Sequence, residues 1–186
     1  MFGAKTLLAL WGRVRYRTWQ VWVSLRPRIE DTDREELARW LPPRAVALWQ
    51  RQPLRDQAHS LRVLRRLQAE GFIAPPLMAA ALLHDVGKTE APLRLWHRVV
   101  WVLLKRCCPA GQSWLIHPRG WRRPFWALAE HPALGAALAR QAGCDEETAW
   151  LIAHHQDDIS TLAARHPKAS RRLRHLEALQ RVDDMT

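Results

Sequence analysis

The stretch Ala80-Ala81-Leu82-Leu83-His84-Asp85-Val86-Gly87-Lys88 decides how this chain is read. Pro75 and Pro76 stand just before it, where proline suits the first turn of a helix. The spacing therefore predicts a helix through Met78–His84, with a histidine and an aspartate side by side at its end. Imidazole nitrogen and carboxylate oxygen are good ligands for divalent zinc, iron or manganese. An adjacent His-Asp pair lets the aspartate bridge two ions while the histidine binds one of them.

Working outward, the other candidate ligands fall on other helices. His59 lies in a helix predicted from Leu54 to Glu70, with Gly71 as its stop. His131 precedes Pro132, which is read as opening a helix to Gln141 that Gly143 ends. The pair His154-His155 closes a helix that starts at Asp145. Asp183 lies near the end of a last helix that Ser170 caps, with Leu173, Leu176 and Leu179 inward. A helical bundle can project such side chains to one point. A single helical histidine is more often packed or solvated, and His97, His117, His166 and His175 are read that way.

The rest of the chain is helical too. Thr32 and Glu35 form a capping-box pattern for a helix to Trp40. Pro42 and Pro43 start another through Ala45–Gln50. Residues 92–106 read as a long helix, and Pro109–Arg123, with Gly111, Pro118 and Gly120, as a loop. No run alternates with period two over useful length, and no internal repeat is found. The expected fold class is all-α: a helical bundle at 31–186 with a basic, tryptophan-rich insertion at about 91–129. Residues 1–30 are expected to form a basic amphipathic extension with Leu7, Trp11, Val14, Trp22 and Leu25 on one face.

Composition sets the bounds. A chain of 186 residues, 48% hydrophobic and 25% charged, suits one domain with a sizeable core. Three cysteines, two of them adjacent (Cys107 and Cys108, with Cys144), exclude a disulfide scaffold and point to a reducing cytoplasm. No apolar run approaches the ~20 residues of a membrane helix. Arginines interrupt the apolar start of the chain, so no cleaved signal peptide is expected.

The net charge is +11. Residues 1–29 carry +6 and residues 91–129 carry +7, neither with an acid, and together they hold eight of the eleven tryptophans. Arginine pairs with phosphate and indole settles at an interface, so these segments suit an anionic partner. A membrane surface, nucleic acid and a polyanionic substrate all meet that description. A solvated basic face with core tryptophans meets it equally.

The order and type of the candidate ligands resemble the HD-domain metal-dependent phosphohydrolase superfamily. The resemblance is carried by Asp56-Gln57-Ala58-His59-Ser60-Leu61-Arg62-Val63 and by the His84-Asp85-Val86-Gly87-Lys88 element. It continues at His131-Pro132-Ala133-Leu134-Gly135, Ile152-Ala153-His154-His155 and Gln180-Arg181-Val182-Asp183-Asp184. It spans about residues 54–184.

The resemblance implies that His59, His84, Asp85 and Asp183 bind one divalent ion. It implies a second for His131 and His154, with His155 as a further candidate and Asp85 as the bridge. Asp183 is preferred to Asp184 because it lies seven residues from inward Leu176. The implied ions are iron, manganese or zinc. Asp85 and Lys88 are the implied catalytic residues, with Lys88 contacting substrate phosphate. Arg62, one turn after His59, is a further candidate phosphate contact, with a solvent-facing role as its equal alternative.

The implied activity is hydrolysis of a nucleotide or similar phosphate ester, as a phosphomonoesterase or phosphodiesterase. The related HD-GYP proteins carry Gly-Tyr-Pro after their paired histidines. Here Gln156-Asp157-Asp158-Ile159-Ser160 follows, so cyclic di-GMP is not the expected substrate. Lys88 also stands where many nucleotidases of the superfamily carry an acid. Two other readings stay open: a di-iron oxygenase, and a non-catalytic nucleotide-binding or membrane-surface adaptor. The expected location is the cytoplasm or the inner face of its membrane.

Overall fold

The computed structural model describes residues 29–107, 109–165 and 169–186. The expected N-terminal extension lies outside them except for Ile29 and Glu30. The described residues form helices α1 (Asp31–Trp40), α2 (Pro43–Gln50), α3 (Leu54–Ala69) and α4 (Pro75–Leu83), then a 3-10 segment, Val86–Glu90. There follow α5 (Leu95–Cys107), α6 (Pro109–Leu115), a 3-10 turn (Gly120–Arg122), α7 (Arg123–Gln141), α8 (Glu146–His154), α9 (Ile159–Arg165) and α10 (Ser170–Met185). No strand occurs among them, so the all-α expectation holds. No described helix is long and apolar enough to cross a membrane.

Helix α4 is the hub. Its run from Leu77 to Leu83 has no polar side chain, and a helix apolar all round belongs inside. All seven residues are buried, and α3, α8 and α10 pack around them. Leu77, Met78, Leu82 and Leu83 each contribute about 1.5–3 kcal/mol by leaving water. Because α4 is enclosed, the His84-Asp85 pair at its end is delivered into the interior: His84 is 0% and Asp85 8% exposed.

The surrounding helices are registered by buried polar contacts. The Trp49 indole of α2 donates to Ser60 Oγ of α3 at 2.8 Å, and Ser60 donates on to Gln57 O at 2.8 Å. This fixes α3 one residue beyond His59. Asp33 of α1 pairs with Arg65 of α3 and accepts from the Glu30 N–H at 2.8 Å. Helix α1 therefore starts at Asp31, with Asp33 rather than Glu35 reaching back to the chain before it. The reciprocal Glu30–Asp33 capping box sets this start.

Further expectations need correction: Ser170 does not cap α10 but is its first residue, with Ala169 at the cap. Pro132 does not open a helix; it lies inside the continuous α7. The expected loop Pro109–Arg123 contains α6 and the 3-10 turn. The glycine stops hold, with Gly71 at φ +85° and Gly143 at φ +89°, a left-handed backbone that glycine adopts without strain. A second small core of Leu115, Phe125 and Leu128 seats α5 through Val100, Trp101 and Leu104.

Candidate metal centre

Five elements converge at the end of α4. His59 comes from α3, His84 and Asp85 from the end of α4, His131 from α7, His155 from the end of α8 and Asp183 from α10. They form two groups able to hold an ion, His59/His84/Asp183 and Asp85/His131/His155. In the first, Asp183 Oδ1 lies 2.7 Å from His59 Nε2 and 3.4 Å from His84 Nε2. In the second, Asp85 Oδ1 lies 3.5 Å from His131 Nε2 and 3.9 Å from His155 Nε2. Asp85 Oδ1 is also 3.8 Å from His84 Nε2, so the Asp85 carboxylate stands between the groups.

The other ring nitrogens settle the tautomers. Nδ1 of His84, His131 and His155 lies 3.0, 2.9 and 2.8 Å from the carbonyls of Ala81, Leu128 and Ile152. A carbonyl only accepts, so each Nδ1 carries the proton, and the rings of His131 and His155, which burial keeps neutral, each point an Nε2 lone pair inward. The Nε2 atoms of His131 and His155 then face each other at 3.2 Å, lone pair to lone pair, beside a carboxylate. Nε2 of His84 is buried without a hydrogen bond. Two ligand atoms about 2.1 Å from a tetrahedral ion lie roughly 3.4 Å apart. The observed spacings and the clustered lone pairs thus fit a bound cation.

Those carbonyls are free for a reason. The last carbonyls of a helix lack an intrahelical partner, which applies to Ala81 in α4 and Ile152 in α8. Leu128 lies mid-helix in α7, and its usual donor would be the N–H of residue 132. Pro132 has none, so the Leu128 carbonyl is left to His131. Pro132→Ala supplies the missing N–H and sets it in competition with His131 Nδ1. The expected result is about tenfold weaker binding of the ion held by Asp85, His131 and His155. Metal titration of the chelator-treated variant reads this directly; unchanged affinity would deny Pro132 that role.

The protonation states follow from burial and neighbours. His131 is pushed down to about 3, first by burial and then by the Lys88 ammonium. His155 is pushed down to about 4, by burial and then by His84. Both are neutral, as ligands must be. Burial also opposes a charge on His84, but the carboxylates of Asp85 and Asp183 outweigh it and raise its pKa. Burial opposes ionisation of Asp85, yet His84 and the Lys88 ammonium hold its carboxyl well below the usual range. Asp183 is likewise lowered, with His59 and His84 overcoming burial.

Backbone contact sets the spacing between α4 and α7. A Cβ on Gly87 would stand 2.1 Å from His131 O, 2.7 Å from Gly135 N and 2.8 Å from His131 Cα. The glycine lets the 3-10 segment lie directly on the backbone of α7. That approach brings Asp85 to His131.

His59, His84, Asp85, His131, His155 and Asp183 are brought together. His154 is not: its Nδ1 lies 2.6 Å from Asp157 Oδ2 at the surface, and its ring lies against Trp150. Neighbours on a helix diverge by roughly 100°, so only one of the pair can face inward. His155 continues the buried face of Leu151 and Ile152, a periodicity readable in the sequence. Asp184 is exposed. Lys88 Nζ lies 2.5 Å from Asp85 Oδ2. Arg62 is exposed on α3. The role of Pro132 went unread, though its place after His131 was the available signal.

This arrangement agrees with the family comparison. The HD domain model matches residues 57–185, and the chain belongs to that family. Neither the curated proteins nor the solved structures yield a significant match.

Proposed function

We propose that this protein is a metal-dependent phosphohydrolase with a dinuclear centre, acting on a nucleotide or similar phosphate ester. The observation that carries this reading is the facing pair of Nε2 lone pairs on His131 and His155 beside the Asp85 carboxylate, next to a second ligand group built on the same aspartate. His59, His84 and Asp183 would hold one ion and His131 and His155 the other, with Asp85 between them. Ions held there would make water a nucleophile near neutral pH and offset charge on phosphoryl oxygens.

The chain's own groups support that chemistry. Asp85 is kept ionised by its neighbours and so is ready to bind. The Nδ1 hydrogen bonds hold three rings in one tautomer, which limits reorganisation on loading. Lys88 holds a positive charge against Asp85 Oδ2, where it can stabilise a developing phosphoryl charge.

The test is hydrolysis of p-nitrophenyl phosphate and of its bis ester by chelator-treated protein reloaded with manganese, iron or zinc. Turnover is expected only after loading. No turnover of either ester with any of the three ions would contradict the proposal. Oxygen uptake by iron-loaded protein, without hydrolysis, would favour the oxygenase reading instead.

A further inference from the structure

We propose that the outer face of α5, with the tryptophans beside it, docks onto an anionic phospholipid bilayer. The inner side of α5 is already used. Arg98 donates to buried Asp56 of α3 at 2.6 Å, and Trp101 and Leu104 pack on the cluster around Phe125. The outer side should then be polar, but from Leu95 to Leu103 it is aliphatic. Leu95, Val99, Val102 and Leu103 share one face, and their exposures run from 49% to 67%. From Leu95 to Leu103, at ~1.5 Å per residue, this apolar strip is about 12 Å long.

Aromatic residues extend the strip sideways. Trp96 and Trp121, both exposed, reach the same Phe125 ring at 5.9 and 6.4 Å between centroids. Trp121 continues to exposed Trp114 at 5.8 Å. Between Trp96 and Trp121 opens a cleft of about 630 Å³ that Arg94 and Arg123 also line. No described carboxylate pairs with either arginine. The surface therefore offers aliphatic side chains for acyl chains, indoles for the interface and guanidinium groups for lipid phosphate.

Charge selects the occupant. Residues 91–129 carry seven bases and no acid. A second copy of this chain would bring the same +7 against it. Residues 1–29 carry six bases and no acid, so they too are repelled from this face. A nucleic acid would account for the arginines but leaves the row of Leu95, Val99, Val102 and Leu103 without a partner. An anionic bilayer meets both features at once. The docked face is joined to the metal centre through Asp56, three residues before His59, and Leu128, three before His131. Docking would thus hold the centre at a fixed height above the lipid.

The experiment is co-sedimentation of the full chain with phosphatidylcholine vesicles, plain or containing about one-third phosphatidylglycerol. Binding is expected only to the anionic vesicles, and to fall about tenfold or more between about 0.1 and 0.5 M salt. The double variant V102E/L103E, at exposed positions, is expected to bind at least about tenfold more weakly with unchanged helicity and melting. The pair R94E/R123E should weaken binding and flatten its salt dependence, which keeps the test sound if the first variant misfolds. Wild-type binding by V102E/L103E would overturn the proposal, because another segment would then hold the lipid. Equal binding to neutral vesicles would overturn it too. So would preferential binding of duplex DNA, or a dimer that V102E/L103E dissociates.

Discussion

Asp85→Ala is expected to empty both ion sites while leaving the bundle folded. The Asp85 carboxylate lies within 4 Å of the Nε2 atoms of His84, His131 and His155, so both groups of ligands lose a neighbouring carboxylate oxygen without it. The loss does not strand a charge. His131 and His155 stay neutral by burial, and their Nδ1 hydrogen bonds do not involve Asp85. Lys88 loses its partner, but its side chain is 16% exposed and its long stem can carry the ammonium to water. Helicity should match the wild type. Bound metal should be absent, and the proposed hydrolysis should fall by about a thousandfold or more. Wild-type metal content in this variant would refute the assignment of the bridge.

Gly87→Ala should have a structural effect of comparable weight. Its added methyl would meet the backbone of α7 at three atoms, the nearest at 2.1 Å, and backbone cannot rotate aside as a side chain can. The strain can only be relieved by moving α7 away from the 3-10 segment. These two elements share one of the most extensive contacts in the molecule, so the cost spreads widely. A loss of about 3 kcal/mol or more is expected, at the upper end for overpacking. Separation of α7 from α4 would also carry His131 away from Asp85 and weaken the second ion site. Chemical denaturation and metal titration of the same sample measure both effects. A variant with unchanged stability would show that the contact is not the constraint described here.

His59, His84, His131 and Asp183 were placed on separate helices by ordinary apolar spacing, and the structure brings them together. The choice of Asp183 over exposed Asp184 followed from the register of Leu176, which is buried. The glycine stops at Gly71 and Gly143 were readable because a left-handed residue is a local requirement.

What was missed depends on contacts between distant segments. Pro132 reads as a helix start because proline usually is one. Its place inside α7 follows from packing on both sides of it and from His131 taking the carbonyl it leaves free. His154 and His155 differ only by rotation about α8, and tertiary packing turns His155 inward. Helix α5 is apolar on both faces, so spacing alone left open which side meets the core. Arg98 and the Phe125 cluster decide it.

In the proposed centre two ions share Asp85. Its most direct test is metal content per chain by mass spectrometry, on protein purified without chelators or affinity-tag metals and then reconstituted with iron, manganese or zinc. About two equivalents per chain are expected. A single equivalent would break the pairing of the two ligand groups. No metal after reconstitution would contradict the centre itself.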